Sequence, residues 1–328
     1  MSLDPRAGGL LLADKPAGVT SRAVAARALW ALTQAYPHLR ARRRRGAAPG
    51  DARFRVGHGG TLDPLATGLL VLLLGRASRL SPYLLGMDKT YLATVRFGAA
   101  TDTLDADGEI VATAPPPPGG PEAVAALLPR FTGVITQVPP VYSAIKRDGR
   151  SLHIAARAGQ DVAEPPARQV AIHALRLLST RWEGERPEAD LEIACASGTY
   201  VRSLARDLAL AAGSLGHVAA LRRTTAGPFA IGQALVGAMD ADGPTLAAAM
   251  IPARRALPHL PEVKLDAGMA RDVRNGRQPP ADWYAALPAA CAMAQLVTDD
   301  DLVAVVARDA DGVWRLDTVL PAVEEAPA

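Results

Sequence analysis

The stretch Gly57-His58-Gly59-Gly60-Thr61-Leu62-Asp63-Pro64-Leu65-Ala66-Thr67-Gly68, followed by the apolar run Leu69 to Leu74, is the most unusual in this chain of 328 residues. Its glycines at 57, 59, 60 and 68 permit tight turns and a close approach of backbone to a ligand. Asp63 lies between Leu62 and Pro64, and the proline biases it towards an extended conformation. A lone carboxylate on an apolar, glycine-rich loop is costly to bury without a counter-charge. Asp63 is therefore either a turn cap or one half of a charged pair. Two phosphate-binding patterns fail here. Leu62 stands where G-x-G-x-x-G needs its third glycine, and no Gly-Lys-Ser/Thr follows.

Upstream, Gly9 to Ala13 is a short apolar run ended by Asp14, Lys15 and Pro16, the pattern of a buried strand entering a turn. Thr20 or Ser21 can cap a helix in which Val24, Ala28, Leu29 and Leu32 keep helical spacing, with Pro37 as its stop. A basic loop over about 36–53 follows, carrying Arg42, Arg43, Arg44 and Arg45 and then Gly46, Pro49 and Gly50. Downstream, Thr90 to Phe97 alternates and predicts a strand, with Tyr91, Ala93, Val95 and Phe97 on one face. Ala114 to Gly120 reads as a proline-rich loop. Leu191, Ile193 and Cys195 alternate up to Ser197-Gly198. The spacing of Val201, Leu204, Leu208 and Ala211 then predicts a helix closed by Gly213. From about 255 to 320 an apolar-strand region suggests a small β domain. Strands and helices mixed without a βαβ rhythm predict an α+β fold.

The formal net charge of +3 is unevenly spread. Residues 1–56 carry eleven Lys/Arg against three Asp, whereas 297–328 carry eight acids against two arginines. The basic part suits a polyanionic partner and the acidic part suits solvation. The run Leu69 to Leu74 is among the longest apolar ones and falls far short of the ~20 residues of a membrane span. No basic segment followed by an apolar stretch opens the chain, so neither a signal peptide nor a membrane partner is expected. Cys195 and Cys291 show neither CxxC spacing nor a disulfide framework, which fits a reducing cytoplasm. The six histidines have no metal-ligand spacing. Asp105-Ala106-Asp107-Gly108 fails as a calcium loop, because Thr103 and Ala114 fall where acids are required. No G-x-S-x-G elbow is present. No metal or cofactor is expected.

Taken together, these pieces resemble one family. LADKPAGVTS, from Leu12 to Ser21, is similar to the first motif of the TruB family of tRNA pseudouridine synthases, and GHGGTLDPLATGLL, from Gly57 to Leu70, to its catalytic-aspartate motif. Asp88-Lys89-Thr90-Tyr91 resembles the family's tyrosine motif, and Ser197-Gly198-Thr199-Tyr200-Val201-Arg202 its arginine motif. VPPVYSAIKRDGRSLHIAARAG and GHVAALRRTTAGPF are also family-like, and the order of motifs holds from about residue 8 to 235. Residues 255–320 resemble the small C-terminal RNA-binding domain more loosely. Two departures stand out. Gly59 replaces the threonine usual in the family's GHTG, a change that would loosen the loop, and the 36–53 loop is longer and richer in arginine.

The resemblance implies a pseudouridine synthase fold, a mixed and mostly antiparallel sheet flanked by helices, over residues 1–250. It implies a small β-rich PUA-like RNA-binding domain with an acidic tail over 251–328. It implies that uridine 55 in the T-arm stem-loop of tRNA becomes pseudouridine, with no cofactor. Asp63 would be the essential carboxylate, with attack on the ribose, attack on the base and removal of the 2′ proton all open. Arg202 would pair with Asp63, and Tyr91 would stack on the target base and take part in proton transfer from C5. Tyr200 and Leu221 would line the uracil pocket, and His58 would fill the space that the flipped base vacates. Lys15 would order the first motif against the catalytic loop. Arginines 42–45, 53 and 55 would contact phosphates. Guide-RNA-dependent relatives carry a longer basic C-terminal region, so no guide RNA is expected here. A non-catalytic tRNA-folding chaperone on the same scaffold is the alternative from another class.

Overall fold

The computed structural model describes residues 4–40, 54–141, 146–147, 150–151, 165–184 and 186–323. The chain opens with β1 (Gly9–Lys15), α1 (Ser21–Ala35), β2 (Val56–His58), β3 (Thr67–Leu74), α2 (Ser81–Leu85) and β4 (Lys89–Phe97). It continues through β5 (Ala99–Thr101), β6 (Ile110–Thr113), α3 (Gly120–Leu127), β7 (Gly133–Gln137), β8 (Lys146–Arg147) and β9 (Arg150–Ser151). β10 (Arg168–Arg181), β11 (Glu188–Cys195), α4 (Val201–Ala211), β12 (Gly216–Ala226) and β13 (Phe229–Ala230) follow. The last elements are α5 (Gly243–Ala248), β14 (Ile251–Pro252), β15 (Glu262–Lys264), α6 (Ala267–Arg274), β16 (Met293–Val297), β17 (Leu302–Arg308) and β18 (Trp314–Val319).

The main sheet has ten strands, in the order β14-β1-β3-β12-β4-β11-β10-β7, with β13 on β12 and β2 on β3. Among its described pairings only β3 with β12 is parallel, so this is the mixed, mostly antiparallel sheet of an α+β fold. β3 explains the unbroken apolar run. Leu70, Leu72 and Leu74 face a core shared with Val24 and Leu32 of α1, Leu204 and Leu208 of α4, and Leu246 of α5. Leu69, Val71 and Leu73 face a second core with Leu257, Leu302, Val305 and Leu320 from the C-terminal part. A strand covered on both faces reads as continuously hydrophobic rather than alternating.

Helix ends follow local chemistry. Thr20 caps α1, its Oγ1 accepting from Ala23 N at 3.1 Å. In α4 the buried stripe is Val201, Leu204, Ala205, Leu208 and Ala209, and then Ala212. Ala211, expected on that stripe, is exposed. A 3.6-residue period carried from Val201 reaches position 212 rather than 211 at its third turn. Gly213, at φ 75°, then takes the chain out of the helix.

The C-terminal strands form a separate four-stranded sheet, β15-β16-β17-β18. It is joined to the large sheet by the second core and by one buried charge cluster. The Arg76 side chain, 7% exposed, pairs with Asp301, which also pairs with Arg274 at 2.7 Å. Arg76 donates as well to Ala7 O at 2.7 Å and to Pro321 O at 2.8 Å, tying the chain's first and last described segments to β3's exit. Removing one partner of a buried ion pair leaves the other charge uncompensated. Arg76→Ala should therefore destabilise the protein by about 3 kcal/mol, the lower part of the range for such losses because Arg274 stays on Asp301. Denaturant unfolding and faster limited proteolysis around Arg254 and Arg255 would register it, and unchanged values of both would contradict the role given to Arg76.

Candidate active site

The loop carrying Asp63 is pinned on both sides of the aspartate. Ser21 Oγ accepts from Leu62 N at 2.7 Å and donates to Leu62 O at 2.9 Å. Gly18 N donates to Pro64 O at 2.9 Å. Lys15 is fully buried, and its Nζ donates to Pro16 O, Val19 O and Pro64 O at 2.8, 2.6 and 3.2 Å. Burial lowers the Lys15 pKa to about 8 against the opposing pull of Asp63 and Asp107. The turn after β1 and the first turn of α1 thus form a frame that fixes Leu62 and Pro64. Gly59 is buried, and its N–H donates to Val71 O at 2.8 Å. A Cβ there would meet Leu84 Cβ at 3.0 Å, so Leu84 fills the space that a threonine would need. The loop is tied at the position where the sequence departs from the family.

Arg202 projects from the first turn of α4 and is 5% exposed. Its Nε lies 2.9 Å from Asp63 Oδ2, and its Nη1 lies 3.4 Å from Asp105 Oδ2. Nη1 also donates to Thr103 O at 2.7 Å. Asp105, 4% exposed, is delivered by a tight turn in which Leu104 adopts φ 62°. Thr101 Oγ1 donates to Asp105 O at 2.7 Å, and Thr103 Oγ1 donates to Asp105 Oδ1 at 2.6 Å. The stretch that fails as a calcium loop is therefore the turn that brings a second carboxylate to Arg202. The Asp63 side chain keeps 36% of its surface open, facing a cavity that it lines. Burial raises its pKa above the ordinary 3.8, Arg202 pulls it down, Asp105 pushes it up and Lys15 pulls it down, leaving a net upward shift.

This cavity has a volume of about 310 Å³, in the range of small-ligand sites. Asp63, Arg202, Tyr91, Tyr200, Leu221 and Arg223 are among its walls. Tyr91 on β4 is opposite Arg223 on β12, and Ala93 is opposite Leu221. Burial raises the Tyr91 pKa, with Arg223 acting against that rise. Tyr200 is held through its backbone, its N–H donating to Gln137 Oε1 at 2.8 Å and its carbonyl accepting from Gln137 Nε2 at 3.1 Å. The Arg168 guanidinium lies 4.8 Å from the Tyr200 ring centroid. His58 is not among the lining residues; it lies half-buried on β2 opposite Leu72, with its pKa lowered by burial. Arg42, Arg43, Arg44, Arg45 and Arg53 lie outside the described residues, and Arg55 is exposed. Among the described residues, no group of three or more His, Cys, Asp or Glu is placed to hold a metal ion.

Several residues of the site are not singled out by the sequence. Asp105 comes from the turn between β5 and β6 and Gln137 from the end of β7, and nothing local marks either for the site. Lys89 is 7% exposed, and its Nζ donates to the carbonyls of Leu84, Leu85 and Met87, closing the end of α2 over the cavity. Burial lowers its pKa to about 8. Arg223 is 1% exposed and sits beside Arg222, which points to the opposite face and pairs with Asp14 at 2.7 Å. Strand alternation applied to that tandem pair is the one sequence signal that separates them.

The raised Asp63 pKa has a consequence for stability. An acid whose folded value exceeds its unfolded value weighs against folding once both states are ionised, and the penalty vanishes as pH falls through the folded value to the unfolded one. Asp63→Asn should therefore melt at least as high as the wild type near neutral pH, the difference closing by about pH 4. Thermal unfolding across a pH series checks this. A wild type clearly more stable than the variant at neutral pH would contradict it.

The family model described as TruB family pseudouridylate synthase (N terminal domain) matches residues 49–201. A Ralstonia pickettii (strain 12J) protein named tRNA pseudouridine synthase B is 40% identical over 277 residues, covering 83% of this chain and 80% of that protein. A protein of the same name from Novosphingobium aromaticivorans is 47% identical over 232 residues, covering 70% of this chain and 76% of its own. The fold is that of a solved chain in a Cbf5-Nop10-Gar1 complex, with a TM-score of 0.62, 22% identity and coverage of 96% of this chain and 84% of that one. Sequence identity over most of both chains, carried on a shared fold, decides the assignment: the chain belongs to the TruB family of pseudouridylate synthases.

Proposed function

We propose that this protein isomerises uridine 55 in the T-arm stem-loop of tRNA to pseudouridine, with Asp63 as the essential carboxylate. The observation that carries the reading is the Asp63–Arg202 pair, 2.9 Å apart, in a pocket that also holds Tyr91, Tyr200 and Leu221. The reaction breaks the N1–C1′ bond, turns the freed uracil and joins C5 to C1′. C5 loses a proton and N1 gains one, so composition is unchanged and no redox partner is required. Extracting the base from its stack costs a few kcal/mol, least in a loop, and the pocket supplies new surfaces in return.

In this reading Arg202 keeps Asp63 ionised against the upward push of burial, and Asp105 holds Arg202 from its other side. Tyr91 stacks on the base and takes part in proton transfer from C5, while Tyr200 and Leu221 bound the ring. His58 acts on the RNA outside the pocket, in the space left by the flipped base. Residues 1–250 form the catalytic unit and 251–328 a PUA-like unit that extends the RNA contact. The arginines at 42–45 meet the phosphate backbone without reading sequence. No guide RNA takes part. The proposed compartment is the reducing cytoplasm, on the strength of the free thiols Cys195 and Cys291.

Tritium release from C5-labelled uridine in an unmodified T-arm stem-loop tests the chemistry. Wild-type protein should release it and Asp63→Asn should not, while both bind the RNA within a few-fold of each other. Turnover by clean Asp63→Asn would remove the carboxylate from its role. No release by either, with tight binding by both, would favour the RNA-folding chaperone. Deleting residues 40–50 should weaken tRNA binding at moderate salt and flatten its salt dependence, with the modified position unchanged. Equal affinity across a salt series would show that the arginine run makes no contact.

A further inference from the structure

Arg223, 1% exposed, is the most enclosed charged side chain among the described residues of the cavity wall, and no part of the proposed chemistry uses it. Its guanidinium is spread over the catalytic loop. Nε donates to Leu69 O at 2.7 Å and Nη2 to Gly60 O at 3.1 Å, with Nη1 reaching Thr61 O at 3.5 Å. Tyr91 lies directly opposite it on β4 and lines the same cavity, and the guanidinium works against the rise of the Tyr91 pKa. Gly60 and Thr61 immediately precede Leu62 and Asp63, so one side chain grips the loop and faces the ring opposite it. The backbone is built to allow this. At Gly68, φ is 98° and a Cβ would lie 2.3 Å from Arg223 O and 2.8 Å from Arg223 N. Only glycine lets β3 approach β12 closely enough for Arg223 to reach across to Leu69 and Gly60.

We propose that Arg223 is the positioning residue that holds Tyr91 and the Asp63 loop in one fixed relation across the uracil pocket. The inference rests on the proposed reaction for its catalytic consequence, but its geometric content is independent of substrate. A buried guanidinium satisfied by several carbonyls is a rigid fork, whereas a lysine offers a point charge on a flexible stem. Positioning errors of about 1 Å at a catalytic centre cost about a hundredfold in rate. The charged and titratable groups that face the Tyr91 phenol are Arg223 on β12, Asp63 on its loop, Cys195 on β11 and, along its own strand, Lys89. Of these, Arg223 is the one that sits across the strand pair from Tyr91 and also grips the loop.

The test compares Arg223→Lys, Arg223→Met and Arg222→Met with wild type on the T-arm stem-loop, together with ultraviolet titration of Tyr91 against a Tyr91→Phe background. Arg223→Met should lower kcat about a hundredfold with KM within about threefold, and Arg223→Lys should recover about tenfold of that loss. Arg222→Met, which removes the Asp14 pair and a long bond to Thr67 Oγ1 on the other face, should keep kcat within about twofold. Tyr91 should titrate higher in Arg223→Met than in wild type, because the positive charge that favours its phenolate is gone. If Arg223→Met does not fold, Arg223→Lys decides alone, with kcat about tenfold down and the Tyr91 titration displaced. A loss confined to KM, an equal loss in Arg222→Met, or a Tyr91 titration unmoved by either Arg223 substitution would overturn the proposal. Wild-type protein inactive on this RNA but showing the titration shift would fail the reaction and leave the Arg223 contact standing.

Discussion

A carboxylate and a guanidinium 2.9 Å apart inside a largely apolar enclosure are the constraint on which the rest of the structure depends. Neither charge is cheap to bury, and their mutual attraction repays the cost only if the geometry is right and the remaining donors are satisfied. The protein supplies the geometry and the remaining partners from far along the chain, while burial still leaves the Asp63 pKa raised. Asp105 and Thr103 O take up the other side of Arg202. Ser21, Gly18 and Lys15 fix the backbone on each side of Asp63. The carboxylate that results is held in one place and lifted above its ordinary pKa, close to reacting atoms and shielded from water on most sides.

The sheet is arranged to make that pair possible. β3 runs directly out of the catalytic loop and is sandwiched between two cores, so the loop hangs from a strand buried on both faces. The parallel contact of β3 with β12 brings Leu221 and Arg223 beside the loop, and β4 next to it contributes Tyr91. Helix α4 begins where β11 ends, so Tyr200 and Arg202 enter the same cavity from above the sheet. The C-terminal sheet packs on the far side of β3 and is locked there by Arg76 and Asp301, which stiffens the catalytic strand from behind.

Much of this was legible beforehand because it is local. The alternation of Thr90 to Phe97, the cap at Thr20 and the glycine that closes the helix from Val201 are each dictated by residues close in sequence. Periodicity misjudged Ala211 by one position, since a pattern of spacings of three and four drifts along a real helix of 3.6 residues per turn. The motif order was also enough to put Asp63, Tyr91, Tyr200, Arg202 and Leu221 forward together, and all five line one cavity. His58, put forward for the space that the flipped base vacates, lies half-buried on β2 opposite Leu72 and outside the cavity walls.

What the sequence by itself determined was the alphabet of the site and the identity of its supporting elements: a carboxylate on a glycine-rich turn, an arginine in a helix's first turn and a tyrosine on an alternating strand. What only the tertiary structure decided was which polar groups would be spent on holding them. Asp105, Gln137, Lys89 and Arg223 carry no local mark of their duties, because each is defined by a partner brought close only through the folding of other elements. The arginines at 222 and 223 show the point most directly. Adjacent in sequence and chemically identical, they part company because successive side chains of a strand leave on opposite faces. One therefore meets Asp14 at the sheet's outer face, and the other is enclosed against the loop that carries Asp63.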